Sequence, residues 1–230
     1  VPSRAPTAAT GPRIADVTDP AKPERPAETQ VLKFAEVQVV TVDTFDETGQ
    51  GATGTVYLRD TEATGPFTAV TAFRPAFFPA GYRGAPGDVV SLEGRYQEAE
   101  RVGTAVFPAG QVLPQIVAAT ATFRYEKPAP QPTTIALDEL LDYERGRKWI
   151  GALVTVNDVR LGPPRRDNAN RLNYPLVGND TRVGPQLSNE LFDLREEDYP
   201  EGTRIASVTG LVTYFFTLKI APRSPEDLRE

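Results

Sequence analysis

Short stretches of alternating apolar and polar residues, divided by glycine- and proline-rich turns, run along most of the chain. Alternation at period two predicts strands rather than helices. Residues 31–43 are rich in β-branched side chains, with Val37, Val39 and Thr41 on one parity and Val40 and Val42 on the other. A strand apolar on both faces for part of its length is covered on both sides, as in a small barrel. Residues 55–59, 67–73, 89–97 and 116–125 are the next four predicted strands. A turn at 46–51 separates the first two, and an aromatic loop at 75–82 precedes the fourth.

The pattern then restarts. Residues 149–159 and 172–177 read as strands, and 202–218 as a closing hairpin region. One phrase recurs between the two halves: a glycine turn leads into an alternating strand that carries a second glycine. It runs from Gly87 to Gly94 in the first half and from Gly202 to Gly210 in the second. A glycine inside a strand suits a tightly coiled barrel, where the chain bends or another backbone comes close. Residues 137–143 predict the one clear helix, with Leu137, Leu140 and Leu141 on one face and Gly146 as its C-terminal cap. Residues 189–194 suggest a helical turn, and Ser224-Pro-Glu-Asp227 a capped one. Three prolines in residues 126–132 mark a domain boundary and hold the neighbouring modules apart.

The expected architecture is all-β: two small OB-like Greek-key barrels in tandem, with one or two short helices. Residues 1–30 form a Pro-rich N-terminal arm, 31–126 the first barrel, 127–132 the linker and 133–230 the second barrel. The first dozen residues read as a tether, with a segment docked on another surface as the alternative for the arm. Residues 14–18 read as a short strand or a single helical turn.

Composition narrows the chemistry. The chain has no cysteine, histidine or methionine, which removes disulfides, Cys/His zinc sites and histidine-based triads. Its net charge of −6 repels nucleic acid and anionic lipid at long range. No apolar run is long enough to span a membrane. Because Val1 is not methionine, it reads as a processed start, with room for a lipid anchor ahead of it.

Carboxylate pairs at Asp138/Glu139/Asp142 and Glu196/Glu197/Asp198 read as solvated charges, because neither context suggests a pocket. Asp43, Asp46 and Glu47 could offer oxygens to calcium, but their spacing departs from the EF-hand loop. An ordinary acidic turn is the simpler reading. No catalytic residue, cofactor or metal is expected. Residues 144–182 are basic, and Arg165, Arg166 and Arg171 fall in the loop after the first strand of the second module. With Tyr174 they form a candidate ligand groove for an oligonucleotide or oligosaccharide. A solvated or internally paired face is the plainer alternative, and any nucleic-acid binding is expected to be weak. Phe73, Phe77, Phe78 and Tyr82 either close a barrel end or offer a docking surface.

The segments Gly202-Thr-Arg-Ile-Ala-Ser-Val-Thr-Gly210 and Pro222-Arg-Ser-Pro-Glu-Asp-Leu228 resemble the OB-fold domains attached to bacterial extracellular nucleases. They also resemble tandem modules of exported lipoproteins. Thr134 to Leu141, Gly151 to Val159, Val39 to Asp43 and Val56 to Asp60 add fainter echoes. In the nucleases these modules accompany a separate catalytic domain, which this chain lacks. The resemblance implies a non-catalytic accessory role in an exported bacterial protein of the periplasm, outer membrane or extracellular space. The partner it suggests is another protein or further copies of the chain.

Overall fold

The computed structural model describes residues 11–23, 25–27, 29–51, 53–167, 170–178 and 183–230. The first ten residues of the arm, and Arg182 of the basic stretch, lie outside them. The fold is mainly β, as expected.

Five strands form the first barrel: β1 (Val31–Val42), β2 (Thr55–Asp60), β3 (Ala69–Phe73), β4 (Asp88–Ala99) and β5 (Leu113–Glu126). β1 pairs antiparallel with β2 and with β4, β2 with β3, and β4 with β5. A short parallel contact, Thr71 with Gln115 and Ala72 with Ile116, joins β3 to β5 and closes the ring. Alternate residues of β4 (Val90, Leu92, Tyr96) and Val37, Val39 and Ile116 fill the interior.

The second barrel repeats this order with β6 (Leu153–Leu161), β7 (Leu172–Val177), β8 (Val183–Ser188), β9 (Arg204–Phe215) and β10 (Thr217–Ala221). β6 pairs antiparallel with β7 and β9, and β8 runs parallel to β10. In both rings the strands follow the order one, two, three, five, four and back to one. The two strand glycines occupy the fourth strand of each. A Cβ on Gly94 would stand 2.5 Å from Ile116 Cγ2, and one on Gly210 would stand 2.7 Å from the backbone carbonyl of Ala221. The expected close approach is present at both.

Three details differ from expectation. The predicted helix at 137–143 is three short pieces: a 3-10 turn at Leu137–Leu140, α2 (Tyr143–Gly146) and a 3-10 turn at Arg147–Trp149. Asp142 breaks the run by capping α2, its carboxylate accepting from the Arg145 N–H at 2.9 Å. Gly146 keeps negative φ, so it serves close packing instead of a left-handed cap; a Cβ there would meet Leu218 at 2.1 Å. Residues 189–194 form bends, not a helical turn.

Of the two readings of the arm, docking holds for residues 14–18. α1 (Ile14–Thr18) buries Ile14 and Val17 in the first barrel's core. The Ile14 N–H donates to Asp60 Oδ1 at 3.0 Å, and the Thr18 hydroxyl donates to the Phe67 carbonyl at 2.8 Å.

The proline linker does not hold the barrels apart. β5 ends at Glu126, and the Gln38 amide donates to the Pro128 carbonyl at 2.9 Å. Val40 and Tyr57 of the first barrel meet Leu153 and Leu211 of the second in one buried cluster, with Leu191 packed against it.

Candidate functional site

Beside that cluster the barrels leave a cleft of about 500 Å³. Three connections frame it. The loop after β1 contributes Asp43 and Glu47, and the β4–β5 connection contributes Arg101, Val102 and Gly103. Arg171 comes from the matching loop of the second barrel, just ahead of β7. Apolar walls come from Leu113, Ile150, Leu191 and Val212, with aromatic rings from Tyr57, Phe73, Tyr214 and Phe215.

Charged groups gather at the floor. Arg171 Nε donates to Glu47 Oε1 at 2.6 Å and lies 3.9 Å from Asp167 through Nη1. Lys219, almost fully buried in β10, reaches Glu190 at 3.0 Å and Asp167 at 3.7 Å. Both cations lie within 6 Å of the Phe215 ring centroid, at 5.8 Å for Arg171 and 5.9 Å for Lys219. That is within cation–π range.

Burial and pairing then divide the three carboxyls. Asp43 is pushed up to about 7 by burial, against the Phe45 N–H that donates to it, with Glu47, Glu190 and Asp46 adding repulsion. Burial also raises Glu47, although Arg171 opposes it. Glu190 is pushed up by burial too, but Lys219 and Arg171 outweigh this and hold it below the usual range. A buried carboxylate stays charged where a cation faces it and tends to keep its proton where none does.

The acidic turn is structural in part: Asp46 accepts from Gly51 N at 2.7 Å and Gln50 N at 3.1 Å. Among the described residues no group of three or more acidic side chains is arranged to hold a metal ion.

The groove expected at Arg165, Arg166, Arg171 and Tyr174 is not assembled. Arg165 and Arg166 lie exposed on a two-residue strand beside β7, where Arg166 donates to the Asn170 carbonyl at 3.0 Å. Arg171 turns away from them into the cleft. Tyr174 is buried within the second barrel, its hydroxyl without a hydrogen-bond partner, so its ring offers no stacking face. Inward parity on β7 explains this, since Leu172, Tyr174 and Leu176 share the core face.

The aromatic cluster divides as well. Phe77 and Tyr82 meet edge to face at 5.3 Å and pack on the first core, and the Tyr82 hydroxyl donates to Asp88 Oδ2 at 2.6 Å. Phe78 stands 51% exposed on the short strand Ala76–Phe78. Phe73, 50% exposed, lines the cleft.

Sequence reasoning missed Lys219 and its buried pairing with Glu190. One signal was available: Lys219 interrupts an apolar strand between Leu218 and Ile220, where a charge needs a buried partner. No family model matches the chain, and no curated protein matches it.

Proposed function

We propose that the chain is a non-catalytic interaction module that receives a segment of another protein in the cleft between its barrels. The observation that carries this reading is the apolar mouth of a cleft with a polar floor. Phe73 and Val102 line the cleft and remain 50% and 46% exposed. Val106 and Phe216 extend the apolar surface along the hairpin at 101–106 and the Phe107 ring. Solvated apolar surface that borders a concavity marks a contact site.

The strand order also supports an OB-fold assignment. In OB barrels the loop after strand one and the loop between strands four and five face the ligand. Here those connections bring Asp43 and Glu47, and Arg101, Val102 and Gly103, to the cleft. The non-catalytic part rests on the missing Cys and His and on the pairing of Glu47 and Glu190 with cations. The exported setting rests on the likeness of residues 202–210 and 222–228 to modules of exported bacterial proteins. Fractionation of the producing cell tests that part.

Docking is tested by capture of partners from extracts of the source cell, with light scattering to detect self-association. Phe73→Ser and Val102→Asp should abolish the interaction, whereas Phe78→Ser should leave it intact. Equal capture by all three variants removes the cleft from the reading. Glycan binding is the second reading, favoured by carboxylate acceptors set among aromatic rings; titration with neutral oligosaccharides decides it. The acidic floor disfavours an oligonucleotide there.

A further inference from the structure

The cleft floor carries more acid than base. Asp43, Glu47 and Glu190 line it, with Asp46 and Asp167 in electrostatic reach. Among the described residues two cations, Arg171 and Lys219, pair with these carboxylates. Arg171 is engaged by Glu47, and Lys219 by Glu190. Arg101, on the hairpin at the mouth, is exposed. Asp43 is left with a backbone donor, Phe45 N–H, and the charged neighbours acting on it most strongly are themselves carboxylates.

A second observation points the same way. The Glu47 side chain is 4% exposed, and while Oε1 holds Arg171, Oε2 is buried with no hydrogen-bond partner. A buried acceptor without a donor carries a penalty that an incoming donor would lift.

Resting on the docking reading above, we infer that the occupant of the cleft is a cationic side chain, lysine or arginine, carried on an extended apolar segment of the partner. Its charged head donates to Glu47 Oε2 and the Asp43 carboxylate, and its stem lies along Leu113, Leu191 and Val212. The apolar neighbours on the same segment meet Phe73 and Val102 at the mouth. Charge complementarity selects this occupant: an anionic group would meet a floor whose cations, Arg171 and Lys219, are already engaged by carboxylates, and a purely apolar one would leave both carboxyls as they are. Lysine and arginine stems suit such a site because they bury their methylenes while the head finds a partner.

The probes are three capped tripeptides, acetyl-Leu-Lys-Leu-amide and its norleucine and glutamate counterparts, titrated into the full chain and followed by amide NMR shifts. The lysine peptide should bind at least roughly tenfold more tightly than the norleucine peptide at pH 8. That advantage should shrink as pH falls below about 7 and Asp43 takes up its proton. Asp43→Asn and Glu47→Gln should each reduce the advantage several-fold; amide spectra show whether each variant is folded. Equal binding of lysine and norleucine peptides would overturn the cation and leave the cleft reading standing. Tightest binding by the glutamate peptide would overturn it in favour of Arg101 and Arg171 as anchors. Absence of all binding at millimolar peptide overturns the inference, and the docking reading falls with it only if capture is also insensitive to Phe73→Ser.

Discussion

Arg147 donates to Glu98 Oε1 at 2.6 Å, tying the turn ahead of the second barrel to the fourth strand of the first. Arg25, from the segment that follows α1, reaches the same oxygen, and the Tyr96 hydroxyl donates to it at 2.9 Å. The three charged side chains are between 17% and 20% exposed, so one carboxylate joins arm, first barrel and second barrel away from bulk water. Glu98→Gln leaves two guanidinium groups facing a neutral amide. Breaking a largely buried pair at one end costs about 3 kcal/mol. Urea denaturation should show a loss of that order; a change under about 0.5 kcal/mol would rank the cluster with exposed surface pairs.

The arm gives the second prediction. Among the described residues Ile14 is the first buried side chain, so a chain beginning at Arg13 should keep the stability of the full chain. A chain beginning at Asp19 loses Ile14, Val17 and the Thr18 hydrogen bond, and should be destabilised by roughly 4 kcal/mol or more. Ile14→Ala alone should cost about 3 kcal/mol. Matching melting temperatures for the Arg13 and Asp19 chains would mean that α1 contributes nothing to the first barrel.

Glycines in the fourth strands give the third. Gly94→Ala and Gly210→Ala each press a methyl group into space already filled, by Ile116 and the Ala119 backbone in one case and the Ala221 carbonyl in the other. Overpacking of this kind costs about 2 kcal/mol. Gly210 should be the more sensitive, because its obstacle is backbone and cannot change rotamer. Equal melting temperatures for both alanine variants and the parent chain would refute the close approach.

These glycines show what local sequence carries. Period-two alternation and a glycine within it are each written within a dozen residues, so the strands could be read directly. The broken helix at 137–149 was less legible, because the spacing of Leu137, Leu140 and Leu141 fits a 3-10 turn followed by a capped restart as well as one continuous helix. The cleft was not legible at all. Arg171 and Glu47 lie 124 positions apart, and only the packing of two barrels makes them neighbours. Tyr174 was misplaced for a related reason: alternation tells which residues share a face, but the closure of the barrel decides which face is inward.

Asp43 carries the last prediction. Its carboxyl ordinarily titrates at 3.8 and is pushed up to about 7 in the folded chain, chiefly by burial. An acid with a raised folded pKa binds more protons folded than unfolded. Its contribution is therefore fully present below the unfolded value and is lost as pH rises toward the folded one. Between pH 4 and pH 7 the burial of Asp43 should thus erode stability, and above 7 the loss should level off. A shift of roughly three units bounds the penalty at about 4 kcal/mol, and relaxation of the cleft will lower it. Asp43→Asn removes the charge but keeps an oxygen to accept from the Phe45 N–H. The variant should match the parent chain near pH 3.5, gain stability steadily to pH 7 and hold a constant lead of about 2 kcal/mol or more at pH 8. Thermal melts at half-unit pH intervals measure this difference. A lead independent of pH would mean that Asp43 ionises normally in the folded chain and that the cleft floor already holds the counter-charge it needs.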